Sequence, residues 1–532
     1  MKQQSTGKGF AYLSVAEMLV KIMSVVYVPL LVRILGDVGH GIYVVSYDAF
    51  TFIYVLTNEG IQRGIAKLIS ELTAKGNYRD ALRAFRLARA VLILLSLFAS
   101  ILLFLMAPLI ATASKSPQAV TAIRALSPTV LITGILSAYR GYFLGRSYIA
   151  SNAVSKIIEQ LVNVTVSLAA AWALMKVSVE YGVAGGTLGT SVGALIAVIL
   201  LVREFYKGRL HKVKRSMQDP EAYRHTNKEL LMKLFNYGFP ITMSAGIQNL
   251  GGFIDMFIVN NALYTAGLDF TAAKTAFSQL SRFKTLIYTP NTIIVALTAV
   301  LLPGISRARA LDDDEDVERK IRFAVKTVFM IAMPSAFGLM VLADPVYALL
   351  YPGRAGAVLL KYGAFVVIFL GFVMVQTVIF QSFGKFYWGI LTLSAGIAVK
   401  LISNSYFVVM PEVNIMGAVL SMYLNYIIPF TINNILITKG LGIRMNLLRE
   451  SLRPLAASAA MGGILYLTNM LFNMLGAGYA ISSILTLANI GIGMAVYFTA
   501  LLLIGGLKKD EIREISPRLL GMIPEGIRNR MK

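Results

Sequence analysis

The chain has 532 residues, 57% of them hydrophobic and only 14% charged, with 50 Lys and Arg against 27 Asp and Glu for a formal charge of +23. Apolar runs near the ~20 residues that a helix needs to cross a bilayer recur from about Gly9 to Leu507, which makes this an integral membrane protein with no room for a large soluble domain. The cations lie between the runs, where they set topology and meet anionic lipid head groups, so no nucleic-acid partner is expected. Zero Cys excludes disulfides, thiol chemistry and cysteine-ligated metal. The three histidines, His40, His211 and His225, read as loop residues and do not make a histidine metal site.

In chain order the pattern predicts helices near residues 9–34, 41–63, 87–110, 119–144, 153–175, 183–203, 234–259, 271–302, 323–345, 360–383, 386–409, 415–438, 454–474 and 481–506. That is about fourteen transmembrane helices in an all-α polytopic fold. The first run carries Glu17 and Lys21 and lacks a small-residue cleavage site, so it reads as a retained helix and not a signal peptide. Connections rich in Lys and Arg alternate with connections that hold only Lys115, Lys176, Arg354 and Lys361. The positive-inside bias then puts both termini in the cytoplasm of a multi-pass protein of the cell membrane, with short outward loops. The acidic stretch Asp312 to Asp316 lacks the glycine and ligand spacing of a calcium loop and reads as a solvated helix start. The glycosylation-like triplet Asn163-Val-Thr165 falls inside a predicted span.

A weak repeat at an offset of roughly 230–240 residues relates the first six spans to the next six. Gly9-Phe10 answers Gly238-Phe239, Tyr142 to Arg146 answers Gln381 to Lys385, and Gly182 to Gly185 answers Asn414 to Gly417, in the same order. The expected organisation is an N-lobe over 1–215, a C-lobe over 216–440 that starts with a cytoplasmic linker, and two further spans with a basic cytoplasmic tail over 441–532. Two pseudo-symmetric six-helix lobes around a path are a common plan of alternating-access transporters.

Charges inside spans cost from ~2.5 to over 10 kcal/mol and so point to cavities or partners. Glu17 and Lys21, four apart, can pair on one helical face. Asp48 lies within span two, and Glu59 and Arg63 near its inner end, where interfacial anchoring is the plainer role. Asp255 sits deep in span seven, Lys400 in span eleven, and Lys274 near the start of span eight, within reach of the outer interface. Arg282 and Lys284 lie roughly 15–20 Å into the membrane, with no acid on their own helix to neutralise them, and are expected to line water. Such a cationic cavity suits phosphate or pyrophosphate, whereas a cation-exporting drug pump needs the opposite balance. No phosphate-binding loop for ATP occurs, so a transporter and not an enzyme is expected. It would have no cofactor and would run on Na+ or H+ coupling, membrane potential or the substrate gradient.

Val32 to Asp37, Gly41-Ile42-Tyr43 and Glu59 to Glu71 resemble the opening of the stage V sporulation protein B/YtgP group, as do Leu126-Ser127-Pro128, Arg140 to Gly145 and Ile158-Glu159-Gln160. Leu301 to Ser306 looks like the end of span eight in this group and in the related lipid II flippases (the MurJ group), all within the multidrug/oligosaccharidyl-lipid/polysaccharide (MOP) exporter superfamily. The resemblance implies a MATE/MurJ-like fold that flips a polyprenyl-pyrophosphate-linked cell-wall precursor, lipid II first, from the inner to the outer leaflet. On it, Lys21 and Lys284 fall at cavity arginines of the lipid II flippases, and Arg63, Lys274 and Arg282 join them as substrate-binding candidates. A later Arg-Asp pair on span one stands here as Tyr27-Val28. Asp255 resembles a sodium-binding acid of some relatives, with Lys400 and Asn404 near its span-eleven partners, so that the Lys400 ammonium could replace the cation; Glu17, Asp48 and Glu59 complete the coupling or gating set. Partners implied are a lipid-linked glycan, membrane lipids and the cell-wall synthesis machinery, with a monomer favoured. Alternatives are export of another lipid-linked oligosaccharide or polysaccharide unit, a multidrug antiporter, a membrane glycosyltransferase or polymerase, or a non-transporting assembly factor.

Overall fold

The computed structural model describes residues 6–213, 218–474 and 478–506, which form helices and turns with no strand among them. The expected basic tail from Lys508 lies outside the described residues. The first predicted span and most of the second run as one element, α1 (Thr6–Tyr54), broken at Gly36, whose φ of 69° is open to glycine at little cost. His40 therefore lies in helix, 2% exposed, and not in a loop. A π turn at Val55–Glu59 leads into α2 (Gly60–Ala74), which carries the second span beyond its predicted end at residue 63.

There follow α3 (Tyr78–Ala113), α4 (Val120–Gly145), α5 (Ile149–Met175), α6 (Val179–Lys207), α7 (Asn227–Thr265) and α8 (Phe270–Ala310). The rest comprises α9 (Asp314–Val341), α10 (Ala343–Leu350), α11 (Ala357–Gly363), α12 (Val366–Ser382), α13 (Phe386–Phe407), α14 (Met416–Ile435), α15 (Leu447–Met474) and α16 (Tyr479–Leu503). Every predicted span falls on helix, but among the described residues only ten helices are long and apolar enough to cross a membrane. The number rises to eleven if α11 and α12, bent by 55°, count as one span. One of the ten is the merged run Val15–Ala74, and α7 and α8 fall outside the count, α8 with Lys274, Arg282 and Lys284 on it. The break in predicted span ten follows Gly363, where a Cβ would stand 2.4 Å from the Phe283 ring.

Local chemistry accounts for several helix starts. Thr226 and Glu229 form a reciprocal capping box on α7, with bonds of 3.2 and 3.0 Å. The acidic stretch begins α9: the Asp313 side chain accepts the Asp316 N–H at 2.9 Å, and Asp314, Glu315 and Asp316 occupy the positive end of the helix dipole. Asn163, in the triplet with Thr165, is inside α5, and its Oδ1 accepts from Ser167 and Thr190 at 3.1 and 3.3 Å.

By Cα packing the chain divides into two compact units, Met1–Ser278 with Val408–Asn414, and Gln279–Phe407 with Ile415–Lys532. The division falls within α8, whereas the sequence repeat divides at residues 215 and 216. In the first unit α5 and α6 meet through glycines four apart. A Cβ would stand 2.6 Å from the Ala170 carbonyl oxygen at Gly185, 2.2 Å from that of Asn163 at Gly189, and 2.5 Å from that of Glu159 at Gly193. Small residues let helix backbones approach where lipid supplies no hydrophobic drive for helix association. Phe85 of α3, Tyr139 and Tyr142 of α4 and Phe205 of α6 pack on one another, Phe85 lying 4.6 Å from Tyr142 and 5.3 Å from Phe205 between ring centroids. In the second unit, the Tyr497 hydroxyl donates to the Met330 carbonyl at 2.9 Å, tying α16 to α9. Tyr288 and Tyr426 hydroxyls meet at 3.2 Å between α8 and α14.

Gly189→Ala should therefore destabilise the protein by about 1–3 kcal/mol, the usual range for overpacking. Gly463→Ala, whose Cβ meets nothing within 4 Å, should be neutral. Thermal unfolding of the two variants in detergent separates them.

Candidate functional site

α1 and α5 of the first unit are joined by a polar seam. Glu17 pairs with Lys156, and one to two turns further on Gln160 Nε2 donates to Ser24 Oγ at 3.2 Å. The Tyr27 hydroxyl continues the seam, donating to the Gly186 carbonyl at 3.0 Å and lying 3.4 Å from the Tyr43 hydroxyl. Lys21 is on the same face between these rungs. The expected pair of Glu17 with Lys21 is thus replaced: Lys156, facing Glu17 from the neighbouring helix, takes the carboxylate. Lys21 is half-buried and makes no ion pair or hydrogen bond among the described residues.

Across α5 lies a second charge pair. Arg140 Nη2 meets Glu159 Oε2, and Nε and Nη2 reach Ser155 Oγ at 3.3 and 3.2 Å, while Asn152 donates to the Arg140 carbonyl at 2.9 Å. Gly141 and Gly145, in the same stretch, let α4 lie on α2, since a Cβ would stand 2.8 Å from the Gln62 oxygen and 2.7 Å from that of Ala66. The Arg140 to Gly145 and Ile158 to Gln160 motifs are therefore one packing unit. Along α1 an aromatic row, His40, Tyr43, Tyr47, Phe50 and Tyr54, stacks or tilts at successive centroid distances of 6.0, 5.4, 5.7 and 5.9 Å.

Lys274 neither lines a cavity nor reaches the outer interface. Its side chain is fully buried, donating to Asn260 Oδ1 at 2.7 Å and to Ser116 Oγ, with Tyr264 and Phe270 ring centroids 5.7 and 5.8 Å away. Ser278, one turn on, meets His40 Nδ1 at 2.8 Å.

In the second unit Arg282 and Lys284 part company. Two residues on a helix differ by about 200° in direction, and the consequence is visible in their burial. Arg282 is fully buried with its guanidinium 5.1 Å over the Tyr351 ring, so it does not line water, whereas Lys284 is half-buried. Lys400 and Asn404 are buried one turn apart on α13, and Asp255 is buried on α7 of the first unit. Asp48 is half-buried on α1 and Arg63 is exposed on α2. Glu59 ends the π turn, and its side chain lies outside the described residues.

The residues missed from the sequence are Lys156, Glu159 and Arg140 as partners. The signal was present, because the rule that charges are expensive inside spans applies to Lys156 and Glu159 within predicted span five. Chemically, Lys21 presents an ammonium that meets no carboxylate among the described residues, and such a group can hold phosphate oxygens.

The described residues form apolar helices of membrane-spanning length that carry buried charged side chains. Residues 6–309 match the family described as polysaccharide biosynthesis protein, and the chain belongs to that family. It is 25% identical over 519 residues to stage V sporulation protein B of Bacillus subtilis (strain 168), covering 97% of this chain and 98% of that one. It is 23% identical over 479 residues to the lipid II flippase MurJ of the same organism, covering 86% and 87%. Among solved structures, the lipid II flippase MurJ in an inward closed conformation aligns with a TM-score of 0.64 at 16% identity, over 92% of this chain and 97% of that one. An inward-facing multidrug resistance MATE family transporter of the MOP superfamily aligns with a TM-score of 0.63 at 17% identity, over 79% and 95%.

Arg140→Ala should cost about 2–3 kcal/mol of stability, less than the ~3–5 for breaking a fully buried pair because the Glu159 side chain is 24% exposed. Exchanging the two charges, Arg140→Glu with Glu159→Arg, should restore part of it. Thermal melts of the single and double variants check this, and an unshifted single variant would show that the pair contributes nothing to α4–α5 packing.

Proposed function

We infer that the protein is a flippase that moves a polyprenyl-pyrophosphate-linked cell-wall precursor, lipid II first, from the inner to the outer leaflet by alternating access. The observation that carries this reading is Lys21. Its neighbours on α1 are engaged by α5, through Glu17 with Lys156 and Ser24 with Gln160, while its own ammonium meets no carboxylate among the described residues. A cation kept in a membrane helix at that cost suits an anionic ligand, and a pyrophosphate brings at least two charges to it. Lys284 is the second candidate ligand; Arg282 and Lys274, buried against protein, position helices in this reading. Family membership and the similarity to a lipid II flippase support a lipid-linked glycan as cargo. Another lipid-linked oligosaccharide or polysaccharide unit would use the same cation. A cation-coupled multidrug antiporter and a non-transporting assembly factor are less well supported. Coupling to Na+, H+ or membrane potential is assigned to the buried polar residues Asp255, Lys400 and Asn404.

The test is leaflet-resolved translocation of lipid II in proteoliposomes. The intact chain should translocate it, and Lys21→Gln with Lys284→Gln, shown by melting temperature to be folded, should lose at least about tenfold, equivalent to ~1.4 kcal/mol. Translocation of a different lipid-linked glycan but not lipid II would favour the second reading. Full activity in the folded double variant would remove the cationic ligands from the mechanism.

A further inference from the structure

Arg140 and Arg146 both stand at the end of α4, and each is 7% exposed. Their surroundings differ. Arg140 gives Nε and Nη2 to Ser155 Oγ and meets the Glu159 carboxylate. Arg146 makes one hydrogen bond, from Nη1 to the Tyr142 hydroxyl at 3.0 Å, and meets no carboxylate among the described residues. The rest of its setting is aromatic, with the guanidinium carbon 4.8, 5.8 and 6.0 Å from the ring centroids of Tyr78, Tyr142 and Tyr148.

Ring faces and the negative end of the α4 dipole answer the charge. They do not answer the N–H groups, which lie in the guanidinium plane and need acceptors there. A guanidinium carries five N–H donors, and a buried donor without an acceptor loses its hydration for nothing in return. Nε of Arg146 is buried with no partner, and Nη2 has none among the described residues. These two nitrogens form one edge of the group, the fork that grips two oxygens of a single oxyanion. Arg140 shows the same edge turned onto protein, at Ser155 and Glu159.

Three connections of the first unit build the surroundings of this fork. Arg146 begins the turn between α4 and α5, and Tyr78 opens α3. The Tyr142 hydroxyl donates to the carbonyl of Leu210, just beyond α6, at 3.2 Å. Arg86 acts electrostatically on Tyr142 and is exposed, as are Arg79 beside Tyr78 and Arg209 beside Leu210. Asp80, the acid nearest Tyr78 in the chain, is held by Asn77, His225 and Arg83. α4 ends here after a run of bilayer length, which puts the fork at the depth of lipid phosphates. We propose that Arg146 anchors a phosphate-binding site, taking one phosphoryl group on Nε and Nη2 among the ends of α3, α4 and α6. The same chemistry fits the head group of an anionic phospholipid and free inorganic phosphate. The site does not depend on the transport reading, because a scaffold could carry it equally well.

Arg146→Lys tests it, since lysine keeps a cation beside the tyrosine rings and loses the fork. Binding is read as the rise in thermal unfolding temperature of the full chain in detergent. The probes are dioctanoyl phosphatidylglycerol, inorganic phosphate and the phosphate-free dioctanoylglycerol. Phosphatidylglycerol should stabilise the intact chain saturably where dioctanoylglycerol does not, and Arg146→Lys should need at least about tenfold more of it for the same rise. An effect of phosphatidylglycerol alone assigns the site to lipid; an equal effect of inorganic phosphate, weakened likewise by the substitution, assigns it to the free ion. The site is overturned if Arg146→Lys responds like the intact chain, or if neither phosphate probe exceeds dioctanoylglycerol. Hydrogen exchange of the intact chain decides the matter even if Arg146→Lys does not fold. The phosphate probe that stabilises the chain should slow exchange in the turn Arg146 to Tyr148, and unchanged exchange there would refute the inference.

Discussion

A polar group inside a bilayer has no water to fall back on, so each charge that a membrane helix carries must be met by protein, by ligand or by a water-filled cavity. The arrangement of the first unit follows from that constraint. Glu17 and Lys156 satisfy each other across α1 and α5, and Arg140 and Glu159 do so across α4 and α5. Lys274, with no acid among its contacts in the described residues, is met by an amide, a hydroxyl and two aromatic faces. Beside these pairs, the Lys21 ammonium meets no carboxylate among the described residues.

The same constraint explains the use of glycine. Without a hydrophobic drive between helices in lipid, close backbone approach supplies the attraction, and α6 spends Gly185, Gly189 and Gly193 on one face against α5. α2 and α7 use the same device with charged flanks.

Much of the fold was legible in the sequence because hydrophobic length and charge bias act locally. All predicted spans fall on helix, and the acidic stretch before α9 takes the helix-start role that dipole arguments assign it. Individual roles were less legible. Glu17 and Lys21 are correctly spaced to pair, but the partner of Glu17 comes from a helix 139 residues away. Arg282 and Lys284 look equivalent in a linear reading, yet helical geometry turns one onto Tyr351 and leaves the other half-exposed.

What the sequence determined by itself is the class of molecule: apolar segments of bilayer length, cations on alternate connections, and motifs that mark the family. These depend only on the cost of moving each residue from water into lipid, a property of the residue and its neighbours in the chain. Tertiary structure alone decided which charges are satisfied and by whom, that Lys274 and Arg282 face protein, and that α7 packs with α2. Those outcomes depend on helices far apart in sequence meeting at particular faces, and the partition energy of single residues carries no information about the facing helix.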